Sequence, residues 1–451
     1  ILILLLNSIA SLSNDWTSIN KPIIINDGKG YSTYDISYCI ETDASGNYVI
    51  AGFFDGRIGF GSDTLESSGG RDIFVAKMHS SGYFYWARKA GGASSELARD
   101  IAVDNSGNVY ITGYYYGTAK FGNFTLTANR NSDIFVAKLN STGTWQWAKS
   151  AGGIGFDRGN AIAVEPNGTV YLTGSFENSS TFGTVSLNSS GSKDIFISKL
   201  SSSGNWIWSV RAGGAQLEEP SSIKYNANLN KLFLAGYFSG NAGFGSTSLN
   251  SSGQRDAFLC KMDSSGSFNS AIKLGGVAND EIKNIKINPQ NNVLIVGSFE
   301  SSATFGAEQF TSAGSKDAFL CIANENLEIQ KSFQAGGTNE DEFIAVAIDT
   351  NSNIYVAGNF YGSIDLGNQT LTSAGEKDSF IAKINSNDEY VWAIQATSST
   401  TVEIFGITCN GDGNTAITGS FIKDATFGTN TIYSAGESDI YIANANSDSE
   451  F

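Results

Sequence analysis

Histidine is almost missing from this chain: among 451 residues only His79 is one, in a turn with Ser80, Ser81 and Gly82. A Ser-His-Asp triad needs a histidine oriented by a carboxylate, and multi-histidine metal sites need several, so the composition argues against both. Proline numbers four and methionine two, against 51 glycines. That is the composition of short extended runs separated by tight turns. Positive charge is also scarce, with 28 Lys plus Arg against 44 Asp plus Glu and a net charge of −16. Such a surface repels phosphate backbones and anionic membranes at long range, so no nucleic acid partner is expected.

Long apolar runs are lacking too. Ile1 to Leu6 is followed by Asn7 to Ser13 with small residues at Ser8 and Ala10, and reads as the end of a secretory signal peptide. It falls short of the roughly 20 residues that span a bilayer, so no membrane insertion is expected. Residues 1–13 are therefore taken as a signal-peptide remnant and 14–451 as the mature, extracellular or cell-surface part. Of the four cysteines, Cys260 and Cys321 occupy equivalent places in adjacent repeats. Stacked sheets lie about 10 Å apart, beyond the reach of a disulfide, and free buried thiols are expected there. Cys39 and Cys409 fall at non-equivalent places, and the framework does not need them bridged.

What is present is a repeat. An Asp-Ile-Phe-Val-Ala-Lys-like hexad begins at Asp72, Asp133, Asp194, Asp256, Asp317, Asp378 and Asp439, in steps of 61 with a single 62. A glycine followed two residues later by an aromatic keeps the same step, from Gly52 and Phe54 to Gly419 and Phe421. Phe-Gly does so as well, with Leu366 replacing Phe in the sixth copy. A fixed period of this length marks units that bury their apolar faces against one another. In the second copy, 101–103, 109–115, 133–139 and 145–150 read as four antiparallel strands separated by glycine turns and one long segment. The hexad is apolar at consecutive positions, which requires both sheet faces to be covered.

Seven such sheets arranged radially satisfy this demand. The seventh hexad at Asp439 is followed by too little chain for an outer strand. We expect residues 16–25 to supply it, with Ile23 and Ile25 in the places of Trp145 and Trp147, closing the ring. The expected fold is all-β: a seven-bladed β-propeller, four antiparallel strands per blade, one domain over 14–451. These residues resemble the seven-bladed β-propeller repeat proteins, mostly bacterial and secreted. Their units run Asp-Ile-Phe-Val-Ala-Lys-Leu, turn, Trp, Gly-Gly, an acid, then Ile-Ala-Val-Asp-x-x-Gly-Asn-Val-Tyr-Ile-Thr-Gly. The resemblance covers about residues 16–451 and implies an extracellular or surface-exposed binding scaffold with no shared catalytic set to carry over.

Among candidate site residues, Asp35, Glu96, Asp157, Glu218, Asp280 and Asp341 stand five residues after the first position of the Gly-Gly pair, and Val402 breaks the set. They are expected to ring one mouth of a central channel, either as a binding mouth or, preferred, as acceptors for loop N–H groups. Carboxylates roughly 10 Å apart in water repel by only about 0.4 kcal/mol, so such a ring is tolerable empty. The hexad aspartates stand alone at short spacing, which favours turn capping over calcium; no cofactor is expected. The residues from Asp43 to Asn410 that open hairpin turns read as turn chemistry, and the aromatics from Phe54 to Phe421 as core. Ligand contacts are sought in segments that differ between repeats, at Arg57, Tyr114, Tyr116 and Tyr361. The sequence thus points to a monomeric, non-catalytic binding or structural scaffold for a surface protein or polysaccharide. The alternative is a glycoside hydrolase using the acidic mouth.

Overall fold

The computed structural model describes residues 18–20, 23–24 and 34–447, with burial given for 34–447. Every regular element among the described residues is a β-strand. The third repeat shows how the sequence builds its sheet. Arg158–Val164, Val170–Phe176, Asp194–Leu200 and Trp206–Gly214 pair antiparallel in that order. Val170–Phe176 is buried at every position, as expected of a strand covered on both faces. The same pairing order recurs in the other repeats, beginning with Ile36–Thr42, Tyr48–Phe54, Asp72–Met78 and Phe84–Gly92.

The long segment before each hexad is not a loop. In the third repeat it folds into a hairpin, Ser179–Phe182 with Val185–Asn188. Its first strand pairs with the Gly152-Gly153 end of the preceding outer strand. The hairpin thus ties each sheet to the one before it. Its Phe182 packs on the hexad Phe196 with ring centroids 4.8 Å apart, and Phe60 with Phe74, Phe121 with Phe135 and Phe305 with Phe319 repeat the contact. The sequence pattern marks these phenylalanines but gives no partner for the segment, because that partner lies in another repeat.

In the last repeat Thr401–Cys409, Thr415–Ile422 and Asp439–Ala445 pair as elsewhere, and the outer place is taken by Ser18–Asn20. Ile23 then pairs with Gly59 and Ile24 with Ile58 in the first repeat's hairpin. Ile23 therefore takes the place of Gly152 and not that of Trp145; Ile25 lies outside the described residues. The innermost strands touch in succession, Ile36–Thr42 to Glu96–Val103 and onward, and Thr401–Cys409 touches Ile36–Thr42. All four cysteines are free, with Cys39, Cys260 and Cys321 buried. No helix among the described residues is long and apolar enough to cross a membrane.

Candidate functional site

The recurrent glycine of the second strand has a steric cause. A Cβ on Gly113 would lie 1.9 Å from the Leu97 carbonyl oxygen, and one on Gly52, Gly174 or Gly419 would be equally close to Ile36, Arg158 or Glu403. The inner strand crowds this glycine because it carries a β-bulge beside it. Opposite Thr112 and Gly113 stand Asp100 and Ala98, with Arg99 left over. The same one-residue shift occurs in all seven inner strands, at Tyr38, Arg99, Asn160, Ser221, Lys283, Ile344 and Phe405. A bulge bends its strand and re-aims the extra side chain. Here all seven of these side chains line one cavity of about 400 Å³, to which every inner strand contributes.

In an otherwise repetitive chain the bulge position holds seven different residue types: Tyr, Arg, Asn, Ser, Lys, Ile and Phe. Each is half-buried and follows a buried residue. The signal was available in the sequence, three residues beyond the acids. It was missed because a position without a pattern draws no attention when repeats are aligned on their similarities.

The cavity's lining mixes charges, Glu41, Asp100, Glu219 and Glu281 with Arg99, Lys224, Lys283 and Lys286, and ion pairs and ring contacts extend from it to neighbouring residues. On one arc Arg255 meets Glu281 at 3.1 Å, Lys283 meets Glu281 at 2.7 Å, Lys316 meets Glu342 at 2.9 Å and Lys377 meets Glu403 at 2.7 Å. Burial would raise the Glu281 and Glu342 carboxyls, but Lys283 and Lys316 outweigh it and hold both below the usual range. On the other arc the cations lie on aromatic faces, Arg99 over Tyr38 and Arg158 over Tyr114, each at 5.0 Å. Tyr38 also meets Phe405 edge-on at 5.4 Å. Lys286 reaches Glu41 at 3.9 Å, linking the fifth inner strand to the first.

The acids expected at a channel mouth are elsewhere. Asp35, Glu96, Asp157, Glu218, Asp280 and Asp341 are all 0% exposed. The amides of Gly92, Gly153, Gly214, Gly276 and Gly337 donate to Glu96, Asp157, Glu218, Asp280 and Asp341, and the Asp55 amide donates to Asp35. The acceptor reading of these residues describes their hydrogen bonds, and burial removes them from any open mouth. Each also faces a hexad aspartate. Asp280 Oδ2 and Asp256 Oδ1 both lie within 2.7 Å of the point where a Cβ on Gly275 would sit, so the first glycine of the pair makes room for two carboxyl groups. Burial, and then the neighbouring carboxyl, push Glu96 and Asp133 up to about 7; Glu218, Asp280 and Asp341 are also raised to about 7, by burial above all. The hexad aspartates accept the amide four residues earlier, as Asp72 does from Ser68 and Asp378 from Ala374. Among the described residues no group of three or more His, Cys, Asp or Glu is placed to hold a metal.

Of the expected loop contacts, the structure places Tyr114 under Arg158 and sets Tyr116 edge-on to the Tyr114 ring at 6.1 Å. Tyr361 carries Lys377 over its ring at 5.4 Å. Arg57 is exposed at the start of the first repeat's hairpin. The aromatics Phe54, Tyr115, Phe176, Phe238, Phe299, Phe360 and Phe421 are buried core.

The sequence matches a β-propeller repeat over residues 86–114. It is 23% identical over 406 residues to the regulatory protein FlaEY of Caulobacter vibrioides, covering 83% of this chain and 39% of that protein. It is 20% identical over 484 aligned residues to an uncharacterized WD repeat-containing protein of Acanthamoeba polyphaga mimivirus, covering 85% of this chain and 35% of that one. The chain thus spans well under half the length of these two curated relatives. Among solved structures it is similar to Sqt1 of Chaetomium thermophilum, over 94% of this chain and 87% of that one, with a TM-score of 0.41 and 8% identity. It is also similar to YCF48 bound to D1 peptide, over 80% and 94%, with a TM-score of 0.39 and 9% identity. The chain is an all-β protein built from β-propeller repeats.

Proposed function

We propose that this chain is a seven-bladed propeller, closed by its N-terminal segment, that acts as a non-catalytic binding scaffold for a protein or polysaccharide outside the cell. The observation that carries the reading is the bulge position: one backbone feature repeated in every inner strand delivers seven different side chains into one cavity. Conserving the device while varying its residue is what a recognition surface requires and what a purely structural collar does not. Closure is supported by the pairing of Ser18–Asn20 with Asp439–Ala445 and by the contact between the first and last inner strands. The paired acids a glycoside hydrolase would use are sealed from solvent, which favours the non-catalytic reading.

The test is a peptide array, a glycan array and a chromogenic glycoside panel, each run with the wild-type chain and with Ile344→Trp, which narrows the cavity from its wall. Binding weakened about tenfold by Ile344→Trp at unchanged melting temperature is expected, with no turnover. Turnover lost in Glu96→Gln would overturn the reading.

A further inference from the structure

The outer strands carry their own template for a part that the fifth repeat lacks. The first residue of this strand is Phe84, Trp145, Trp206 and Phe268 in the first four repeats. Its ring stands edge-on to the hairpin phenylalanine, with centroids 5.3, 5.4, 5.6 and 6.4 Å apart. Tyr390 holds the place in the sixth repeat, and Ile329 in the fifth. Two residues on, Trp86, Trp147 and Trp208 donate their indole N–H to a carbonyl in the next repeat's turn. The fifth repeat has Lys331 there, which pairs with Asp388. Among the first six repeats only the fifth has no ring at either place. The vacated space is open. A cavity of about 360 Å³ lies there, walled by Phe305, Phe310, Ile329 and Phe333, with Glu308 and the Lys331–Asp388 pair at its edge. Phe310 replaces a leucine found at Leu126, Leu187 and Leu249, and Phe333 adds a second ring, yet both stay half-buried. The wall is aromatic without being closed.

We propose that this cavity on the outer rim takes an aromatic side chain from a protein partner, presented beside a lysine or arginine. The proposal is independent of the central cavity. Its occupant is defined by the other repeats, where the same wall is covered by a tryptophan or phenylalanine ring standing edge-on. The volume sits at the small end of the roughly 300–1,000 Å³ range of ligand pockets, room for one side chain and not for a polymer. Aromatic anchors seated in such pockets carry most of the energy of protein contacts. The basic neighbour follows from charge. Lys331 is neutralised by Asp388, whereas Glu308 is exposed and has no ion-pair partner among the described residues. The net charge of −16 draws basic segments in the same sense.

The experiment is calorimetric titration of the full chain with the acetylated amides of Gly-Lys-Trp-Lys-Gly, Gly-Lys-Ala-Lys-Gly and Gly-Glu-Trp-Glu-Gly. The Lys-Trp-Lys peptide should bind and the alanine peptide should not. Glu-Trp-Glu should bind about fivefold more weakly at roughly 0.05 M salt. Ile329→Trp supplies the ring of the second and third repeats, so it should abolish binding and raise the melting temperature. Glu308→Gln, a change at an exposed position, should erase the preference between the charged peptides and keep the tryptophan requirement. Ile344→Trp, in the central cavity, should leave binding unchanged, so failure of that reading and failure of this one are distinct. No binding of Lys-Trp-Lys, equal binding of the alanine peptide, binding that survives Ile329→Trp, or a melting temperature lowered by it overturns the inference. So does binding blocked by Ile344→Trp. Self-association that vanishes in Ile329→Trp, with no peptide bound, would make a second copy the occupant and overturn it as well.

Discussion

Two carboxyl groups in one dry pocket cannot both ionise cheaply, and this chain sets up that situation at one sheet junction after another. Asp72 Oδ1 and Glu96 Oε1 are buried without hydrogen-bond partners, as are Asp256 Oδ1 with Asp280 Oδ1 and Asp317 Oδ1 with Asp341 Oδ1. One proton shared within each pair would satisfy both oxygens. The sign follows from the upward displacement of Glu96, Glu218, Asp280 and Asp341 to about 7. Their contribution is fully present below the unfolded carboxyl range near pH 4 and is lost as pH rises through 7. The melting temperature should therefore fall between pH 6 and 8, and Glu96→Gln, which carries its own donor to Asp72, should shrink that fall. Calorimetry at pH 5 and 8 checks this. A melting temperature lowered by EDTA at both pH values would replace the proton with a bound cation. The recurrence of these acids was legible in the sequence, but their pairing was not. Glu96 follows Asp72 by 24 residues, and the two ends of that interval meet because Phe84–Gly92 returns antiparallel along Asp72–Met78 and the Glu96 amide donates to the Arg71 carbonyl.

Among elements, the bulged inner strand positions the site, and its glycine partner is the price of that geometry. Gly113→Ala places a Cβ against the Leu97 carbonyl. It should destabilise by roughly 3 kcal/mol and, by flattening the bulge, move Arg99 off the cavity wall. Gly411→Ala, whose Cβ would meet only Thr350 Cγ2 at 3.4 Å, should stay within about 0.5 kcal/mol. Urea titrations of the two variants make the comparison. The four strands of each sheet were readable from apolar runs and turn residues, since those signals are local. The bulge was readable only as an unexplained glycine, because its cause lies in a carbonyl on the neighbouring strand.

For the whole molecule, the outer place of the last sheet is held by residues from the opposite end of the chain. A chain without residues 18–24 would lose the ladder from Ser18–Asn20 to Asp439–Ala445, on the order of 3 kcal/mol at about 1 kcal/mol per bond. It would also expose Asp439–Ala445, which is buried throughout, as an unpaired edge. A lower melting temperature and dimers or larger species by light scattering are expected; an unaltered monomer would contradict closure. That a segment near residues 16–25 would pair with the last sheet was legible from the period, and Ser18–Asn20 does so; its register was not legible, because that stretch carries no copy of the repeat's landmarks. The bulged strands have one more consequence. Since the backbone presents each of those seven side chains in the same way whatever its chemistry, a new specificity can be written by exchanging residues at those places alone, leaving the framework that folds the protein unedited.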